Sequence, residues 1–396
     1  MDSKLRVLFL SFYYKPDLCA GSFRSTSLIT SLKEILPEQS SIDVITTLPN
    51  RYASFSKRAD LEEQDGLVHI HRVSLPRHKS GMLDQSKAFF FYFKGVAHFI
   101  KDKEYDAVFA TSSRLMTAFM GAYISRKRAL PLFLDIRDIF VDTLSDILPK
   151  KISFLVLPLF SLIECWTMRQ ASHINLVSKG FGSYFSERYP QVPLTFFSNG
   201  IDCDFIIHDT TNLYSKKENN KVQILYAGNI GEGQGLHKII PRFAEKLANQ
   251  AEFIIIGDGG CRELLRERVK EKKVTNVQFI DPVSREELLK YYDNCDVLFL
   301  HLNDYSAFKK VLPSKIFEYG ALNKPILAGV GGYAADFIRN ELDGAEVFKP
   351  CDVDMAVEAF NQLKARPTTH REQFISKYSR NKIMNQMASE MLKVWK

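Results

Sequence analysis

Leu312-Pro-Ser-Lys-Ile-Phe-Glu-Tyr-Gly-Ala-Leu-Asn-Lys-Pro-Ile-Leu327 lies between an apolar run at Val297 to Leu302 and a second run that opens at Pro325-Ile-Leu-Ala328. Two apolar strands joined through a short helix belong to a βαβ crossover, and so to a parallel sheet. Ser314 is placed to cap the helix, whose first turn then carries Lys315 and Glu318. A helix N-terminus offers free N–H groups and partial positive charge, which suit a phosphate. One turn on, the Glu318 carboxylate can accept hydrogen bonds from two neighbouring sugar hydroxyls. The short helix is therefore expected to hold both the diphosphate and the ribose of a nucleotide.

Outward from this stretch the same alternation continues. Strands are expected at Val7 to Ser11, Ile42 to Thr46, Val68 to Val73, Ala107 to Ala110, Pro131 to Ile136, Ile174 to Val177 and Leu194 to Phe197. After a polar, aperiodic stretch at 209–221 they resume at Val222 to Tyr226, Phe253 to Ile256, Val277 to Ile280, Val297 to Leu302, Pro325 to Ala328 and Ala345 to Phe348. Ser284-Arg-Glu-Glu287 reads as a capping box. The expected fold is α/β: two doubly wound, Rossmann-like domains facing a cleft, over 1–205 and 206–375, with a C-terminal helix at 376–396 packing back across them. Ligands in such sheets sit beyond the carboxyl ends of the strands.

The 396 residues suit about two cores, and 45% apolar with 25% charged residues is a globular composition. A net charge of +7 favours anionic substrates or an anionic membrane surface, while no basic block is dense enough for nucleic acid. The six scattered cysteines contain no CxxC pair, which argues against zinc and disulfides and for a reducing, cytoplasmic setting. Met1 to Arg6 leads into a strand rather than into the apolar core of a signal peptide. Ile152 to Met168 is nearly long enough to span a bilayer, although Pro158 and Glu164 interrupt it. It reads as a buried or partly exposed helix pair within a domain, as a surface that dips into the membrane interface, or as a true span. The run Ala88-Phe-Phe-Phe-Tyr-Phe-Lys94 poses the same choice between core and headgroup boundary.

Two strands of the second half end in glycine-rich turns, Tyr226-Ala-Gly-Asn-Ile-Gly-Glu-Gly-Gln-Gly-Leu236 and Ile256-Gly-Asp-Gly-Gly260. Gly228, Asn229, Gly231, Gly257 and Asp258 are the candidate donor-binding residues there, alongside Ser314, Lys315 and Glu318. Each turn alone also fits a tight strand-to-helix connection. Neither matches a P-loop. In the first half, Gly21 and Ser22 open a helix after the first strand, and Arg24 can add charge against a phosphate or simply be solvated. Leu134-Asp-Ile-Arg-Asp138 ends another strand; Asp138 either orients an acceptor hydroxyl or salt-bridges Arg137. Asp202-Cys-Asp204 is formally a DxD, read here as a hinge in preference to a metal site.

In this order the loops resemble the retaining glycosyltransferases of family 4 (group 1) with the GT-B fold. The nearest likeness is to the bacterial surface-polysaccharide subgroup that resembles L-fucosamine transferases. The pieces are Tyr14-Lys-Pro16, Arg137-Asp138, Glu164 through Ser178, Asn199-Gly-Ile-Asp202, Tyr226 to Gly231, Gly257-Asp-Gly259 and Pro313 to Tyr319. The resemblance implies a hexosyl- or N-acetylhexosaminyl-type transferase for lipopolysaccharide or capsule. Its nucleotide-diphosphate sugar would bind the second domain and its saccharide or lipid-linked acceptor the first, without metal or other cofactor, peripherally on the inner face of the plasma membrane. It also implies that Glu318 binds the donor ribose, with the Gly228 loop near the diphosphate and the Gly257 loop near the base. Asp138, Arg137 and Lys315 are the expected catalytic residues.

The chain departs from the pattern at three places. Lys310 stands where the family's Glu-x7-Glu pair needs an acid, and Asn229 and Gln234 replace phosphate-binding cations. Lys315 and Arg24 are the candidates to restore that charge. His69, His71, His78 and His98 cannot be assigned the family's first-domain histidine by spacing. Two rival readings stay open: a non-catalytic transferase-like partner subunit, and a sugar-nucleotide 2-epimerase.

Overall fold

A computed structural model describes residues 4–50, 59–76, 82–112, 115–207, 221–364 and 371–396. The apolar runs of the first half become β1 (Arg6–Leu10), β2 (Ser41–Thr47), β3 (Glu62–Asp65), β4 (Val68–Val73), β5 (Ala107–Thr111), β6 (Leu132–Ile136), β7 (His173–Leu176) and β8 (Leu194–Thr195). They form one sheet in the order β3-β4-β2-β1-β5-β6-β7-β8. All pairings are parallel except β3 with β4. β3 was not expected from sequence: Glu62-Glu-Gln-Asp65 is a mostly exposed edge strand, so it carries no apolar alternation. The central strands are buried on both faces and read as unbroken apolar runs. Phe9, Phe109, Phe133 and His173 stand in register across β1, β5, β6 and β7 and stack at 4.2, 6.3 and 5.0 Å between ring centroids.

In the second half, β9 (Val222–Ala227), β10 (Ala251–Ile256), β11 (Val277–Ile280), β12 (Val297–His301), β13 (Ile326–Gly329) and β14 (Ala345–Phe348) form an all-parallel sheet, β11-β10-β9-β12-β13-β14. This is the doubly wound order whose direction reverses between β9 and β12. The first sheet reverses likewise between β1 and β5. Apolar clusters cover both faces of the second sheet. Ser284 caps its helix as expected, accepting from the Glu287 amide at 3.3 Å.

The chain divides into one unit of residues 1–199 with 380–396 and a second of 200–379. The expected divisions at 205/206 and 375/376 each shift by a few residues, because residues 200–205 are fastened to the second unit. The Ile201 amide donates to the Tyr378 carbonyl at 2.7 Å, and Arg285 pairs with Asp202 at 3.0 Å and Asp204 at 2.9 Å. Both carboxylates of the DxD are thus committed to an arginine. Residues 208–220 of the expected linker lie outside the described residues. The C-terminal segment is two helices, Glu372–Tyr378 and Arg380–Trp395. The second belongs to the first unit, where Met384, Met387 and Met391 are buried and Asn385 meets Ser31 on the helix Ala20–Ile35.

Within the first unit Arg24 is a correction to the sequence reading. It is 1% exposed and forms a bidentate pair with Asp135 at 2.8 and 2.9 Å. It also donates to the carbonyls of Ser198 and Phe197 and touches the Met387 sulfur. Every guanidinium nitrogen is engaged within the unit and the side chain is almost wholly buried, so it is not presented to a phosphate. Removing one partner strands a buried charge. Arg24→Ala is expected to lose on the order of 3–5 kcal/mol of stability in urea unfolding, and Arg24→Met with Asp135→Leu much less than either single change.

Candidate functional site

In the second unit the loops after β9 and β10 lean on one another backbone to backbone. The Gly228 amide donates to Ile256 O, the Ile230 amide to Asp258 O and the Cys261 amide to Ile230 O, each at 2.9 Å. A Cβ on Gly257, where φ is +139°, would lie 1.8 Å from the Gly228 carbonyl oxygen. Gly257 and Asp258 therefore first serve loop-to-loop contact, and the Asp258 carboxylate accepts from the Gly259 amide at 2.8 Å. Gly228 has another use. A Cβ there would meet Lys315 Cε at 2.8 Å and Nζ at 3.1 Å, so the lysine lies across the glycine.

Lys315 and Glu318 share one face of the helix Lys315–Gly320, 3.6 Å apart and each 19% exposed. The Tyr292 hydroxyl, on a fully buried ring, reaches Glu318 at 3.5 Å, and the Lys315 ammonium lies 5.5 Å from the Tyr319 ring centre. Tyr319 in turn accepts from the Ala227 amide at 3.4 Å, at the end of β9. The structure thus gathers Gly228, Lys315 and Glu318 into one cluster. Tyr292 and Tyr319 complete it, although both read in sequence as ordinary apolar positions.

Ser314 is corrected. Its backbone is already helical (φ −58°, ψ −26°) and its side chain makes no capping bond, because the turn starts a residue earlier with the Ile316 amide on Pro313 O. The helix is six residues long, so the positive charge rests mainly on Lys315 and little on the helix dipole. Asn229 and Gln234, which replace cations, bind each other instead. Asn229 Nδ2 donates to Gln234 Oε1 at 2.8 Å, and that oxygen also accepts the Gly231 amide at 3.2 Å. His301 lies fully buried under the loop. It accepts the Cys351 amide at Nε2, so Nδ1 carries the hydrogen and donates to Gln234 O at 2.6 Å, while burial pulls its pKa down to about 4. Burial alone would raise the Glu232 carboxyl, but hydrogen bonds from Tyr305 and Lys238 bring it below the ordinary value.

In the first unit the carboxyl ends of β5 and β6 hold the second cluster. The Arg137 amide donates to Ser112 Oγ at 2.9 Å, and its Nη1 packs over Gly21, 3.4 Å from where a Cβ would stand. Gly21 and Ser22 sit in the first turn of the helix Ala20–Ile35, where backbone N–H groups have no intrahelical acceptor. Among the described residues Arg137 Nη1 and Asp138 Oδ1 are buried without a hydrogen-bond partner, and the two side chains form no direct ion pair. Burial pushes the Asp138 carboxyl up to about 6; Arg137 opposes the shift and the nearby Glu164 adds to it. Burial also lowers the Arg137 pKa. Glu164 itself is structural, held by the hydroxyls of Tyr184 at 2.5 Å and Tyr189 at 3.4 Å. His69 and His71 lie within β4 and His98 within the helix Met82–Phe99, away from the carboxyl-end loops; His78 lies outside the described residues.

Residues 212–382 match the family described as Glycosyl transferases group 1. A stretch of 100 residues is 35% identical to the putative colanic acid biosynthesis glycosyl transferase WcaI of Escherichia coli (strain K12), so the match spans 24% of this chain and 24% of that relative. Sucrose-phosphate synthase from Thermosynechococcus elongatus superposes with a TM-score of 0.77 at 12% identity, over 99% of each chain. Anabaena HepE, solved in complex with UDP, gives 0.67 at 16% identity, over 98% of this chain and 100% of that one. The likeness fixes the fold as GT-B, two Rossmann-like units each built on a parallel sheet.

Asp138 generates a pH prediction. Its folded pKa lies above the ordinary carboxylate value, so the stability linked to it is present at low pH and is lost as pH rises through about 6. Asp138→Asn is expected to melt several degrees above the wild type at about pH 8 and level with it at about pH 4, read by thermal denaturation.

Proposed function

We propose that this chain, which carries a group 1 glycosyl transferase domain on a GT-B fold, moves a hexosyl or N-acetylhexosaminyl group, with retention, from a nucleotide-diphosphate sugar to a saccharide acceptor. The acceptor is lipid-linked and the product a cell-surface polysaccharide. One observation carries this reading: Lys315 lies across Gly228 with Glu318 beside it, at the carboxyl ends of β9 and β12, where a doubly wound sheet takes its ligand. The UDP held by the Anabaena structure and the family of residues 212–382 supply the ligand class.

In this reading the second unit binds the donor. The diphosphate meets Lys315 over the Gly228–Gly231 backbone, and Glu318 accepts from the ribose hydroxyls. The Lys315–Glu318 contact is replaced by one contact to each end of the ligand. The bond from the anomeric carbon to the diphosphate breaks while the acceptor hydroxyl oxygen bonds to that carbon, and the hydroxyl proton leaves with the diphosphate. Negative charge grows on the leaving group, so Lys315 binds it more tightly in the transition state than in the ground state. The first unit takes the acceptor, with Asp138 accepting from its hydroxyl and Arg137 donating through Nη1. No metal ion is assigned a part, since Lys315 supplies the charge and Asp202 and Asp204 are held by Arg285.

Incubation with a panel of UDP- and GDP-sugars tests this through release of the nucleoside diphosphate. Lys315→Ala is expected to lower kcat by about 100-fold, and Glu318→Ala to weaken donor binding by about tenfold. Excess chelator is expected to leave turnover unchanged. Release that ignores both substitutions would overturn the assignment. Failure to bind any sugar nucleotide would favour the non-catalytic partner subunit, to which the loss of cations at Asn229 and Gln234 already points.

A further inference from the structure

Three side chains from separate segments of the second unit converge beside the first glycine-rich loop. Glu232 stands in the loop after β9, His237 in the first turn of the helix Leu236–Lys246, and Cys261 just ahead of the helix Arg262–Glu271. The packing of one loop on the other brings them together, with the Cys261 amide on the Ile230 carbonyl at 2.9 Å. Glu232 Oε2 lies 3.5 Å from His237 Nε2 and 3.6 Å from Cys261 Sγ, and the three atoms are all within 4.8 Å of one another. A tetrahedral zinc ion, with bonds of about 2.0 Å to oxygen and nitrogen and about 2.3 Å to sulfur, sets such pairs about 3.3 to 3.6 Å apart. The two sides of the triangle that meet at Glu232 already have those lengths.

The surroundings prepare the same three atoms. The other carboxylate oxygen, Oε1, accepts from the Tyr305 hydroxyl at 2.6 Å and from Asn303 Nδ2 at 3.1 Å, and it meets the Lys238 ammonium at 3.3 Å. Those contacts turn Oε2 toward the histidine and the cysteine, as outer partners orient a ligating carboxylate. His237 is 3% exposed, and its Nδ1 is buried without a hydrogen-bond partner among the described residues. At 3.5 Å its Nε2 reaches Glu232 only weakly, so the buried ring is poorly satisfied unless a cation takes that nitrogen. Burial lowers the His237 pKa, which keeps the lone pair free at neutral pH. Burial raises the Cys261 thiol and the Glu232 charge adds to the shift, so the sulfur keeps its proton until a metal displaces it. An imidazole, a thiolate and one carboxylate select a borderline-soft ion such as zinc over magnesium or calcium, which ask for oxygen.

We propose that Glu232, His237 and Cys261 form an exchangeable zinc site that clamps the loop after β9 to the loop after β10. Binding forms bonds from the ion to Oε2, Nε2 and Sγ, releases the thiol proton to water and leaves a fourth position for a water molecule. The Lys238 ammonium opposes a dipositive ion, so the ion comes and goes with its concentration. It braces the loops and takes no part in sugar transfer. The proposal does not depend on the donor reading and stands if that reading fails.

The full chain, stripped with chelator, is titrated with Co2+ as a coloured substitute for zinc. A thiolate-to-cobalt charge-transfer band and the strong visible bands of a tetrahedral site are expected, bleached by stoichiometric Zn2+ and untouched by excess Mg2+. The apparent affinity is expected to rise about tenfold per pH unit between about pH 6 and 8, the slope of one released proton. Zn2+ is expected to raise the melting temperature by a few degrees. Cys261→Ser is expected to abolish the charge-transfer band, and Glu232→Gln to weaken Co2+ binding about 100-fold. Glu232→Gln, which keeps the shape of the side chain, serves should Cys261→Ser fail to fold. Cys203→Ser, beside the Asp202 and Asp204 carboxylates that Arg285 holds, is expected to keep the band. No band in the wild type, a band that survives Cys261→Ser, or an affinity that ignores Glu232→Gln overturns the proposal. Loss of the band in Cys203→Ser alone moves the ion to the other cluster and overturns it equally.

Discussion

The buried pair of Arg24 and Asp135 organises the first unit. Asp135 is near the end of β6, three residues before Asp138, and its carboxylate is held by the helix that follows β1. Asn175 on β7 donates to the same carboxylate at 2.7 Å. The remaining donors of Arg24 fix the carbonyls of Phe197 and Ser198, where the chain leaves the unit, and its flank meets the returning C-terminal helix. One guanidinium therefore ties together four segments remote in sequence. A desolvated ion pair is tolerated when further hydrogen bonds engage its polar atoms, and here every guanidinium nitrogen has a partner. The consequence for chemistry is direct: β6 is pinned one residue before its end, and Arg137 and Asp138 project from a fixed base.

In the second unit the comparable constraint is steric. Gly257 and Gly228 let two loops approach until backbone touches backbone, and the room left above Gly228 is filled by the stem of Lys315. The cation is thereby positioned by packing, without a strong ion pair to hold it back, since Glu318 stands 3.6 Å away. A lysine is well suited to this place, because it acts as a compact point charge and needs no planar partner. The two cations replaced by Asn229 and Gln234 leave a neutral, self-bonded rim around it.

Much of the fold was legible because parallel sheets covered on both faces leave a period that sequence cannot hide. The apolar runs and the polar break before Val222 are of this kind. β3 was not legible, since an exposed edge strand obeys no burial pattern. The candidate site was legible to the extent that it rests on the local chain: Gly228, Lys315 and Glu318 fall in one cluster as their spacing suggests. It failed where the decision was tertiary. Arg24 had the right type and place for a phosphate ligand, and only the fold shows it spent on Asp135. Ser314 had the right identity for a cap, but the turn begins at Pro313. Tyr292 carries no signal at all, because a buried tyrosine and one whose hydroxyl touches a functional acid are spelled alike.

Asp138 and the helix Lys150–Arg169 share a logic within the first unit. At Arg137 and Asp138 it leaves two buried polar atoms without partners, and along Lys150–Arg169 it reverses the ordinary sidedness of a helix. Stability explains neither feature, since each lowers it: a desolvated carboxylate resists ionising, and exposed Phe154 and Leu155 gain nothing from water. Glu164 connects the two physically. It holds the polar side of the helix to Tyr184 and Tyr189, and its charge helps to raise the Asp138 pKa. Whatever occupies the apolar face therefore bears on the same element that lies behind the unsatisfied carboxylate. A sequence that keeps two such costs side by side is best understood as keeping them for ligands.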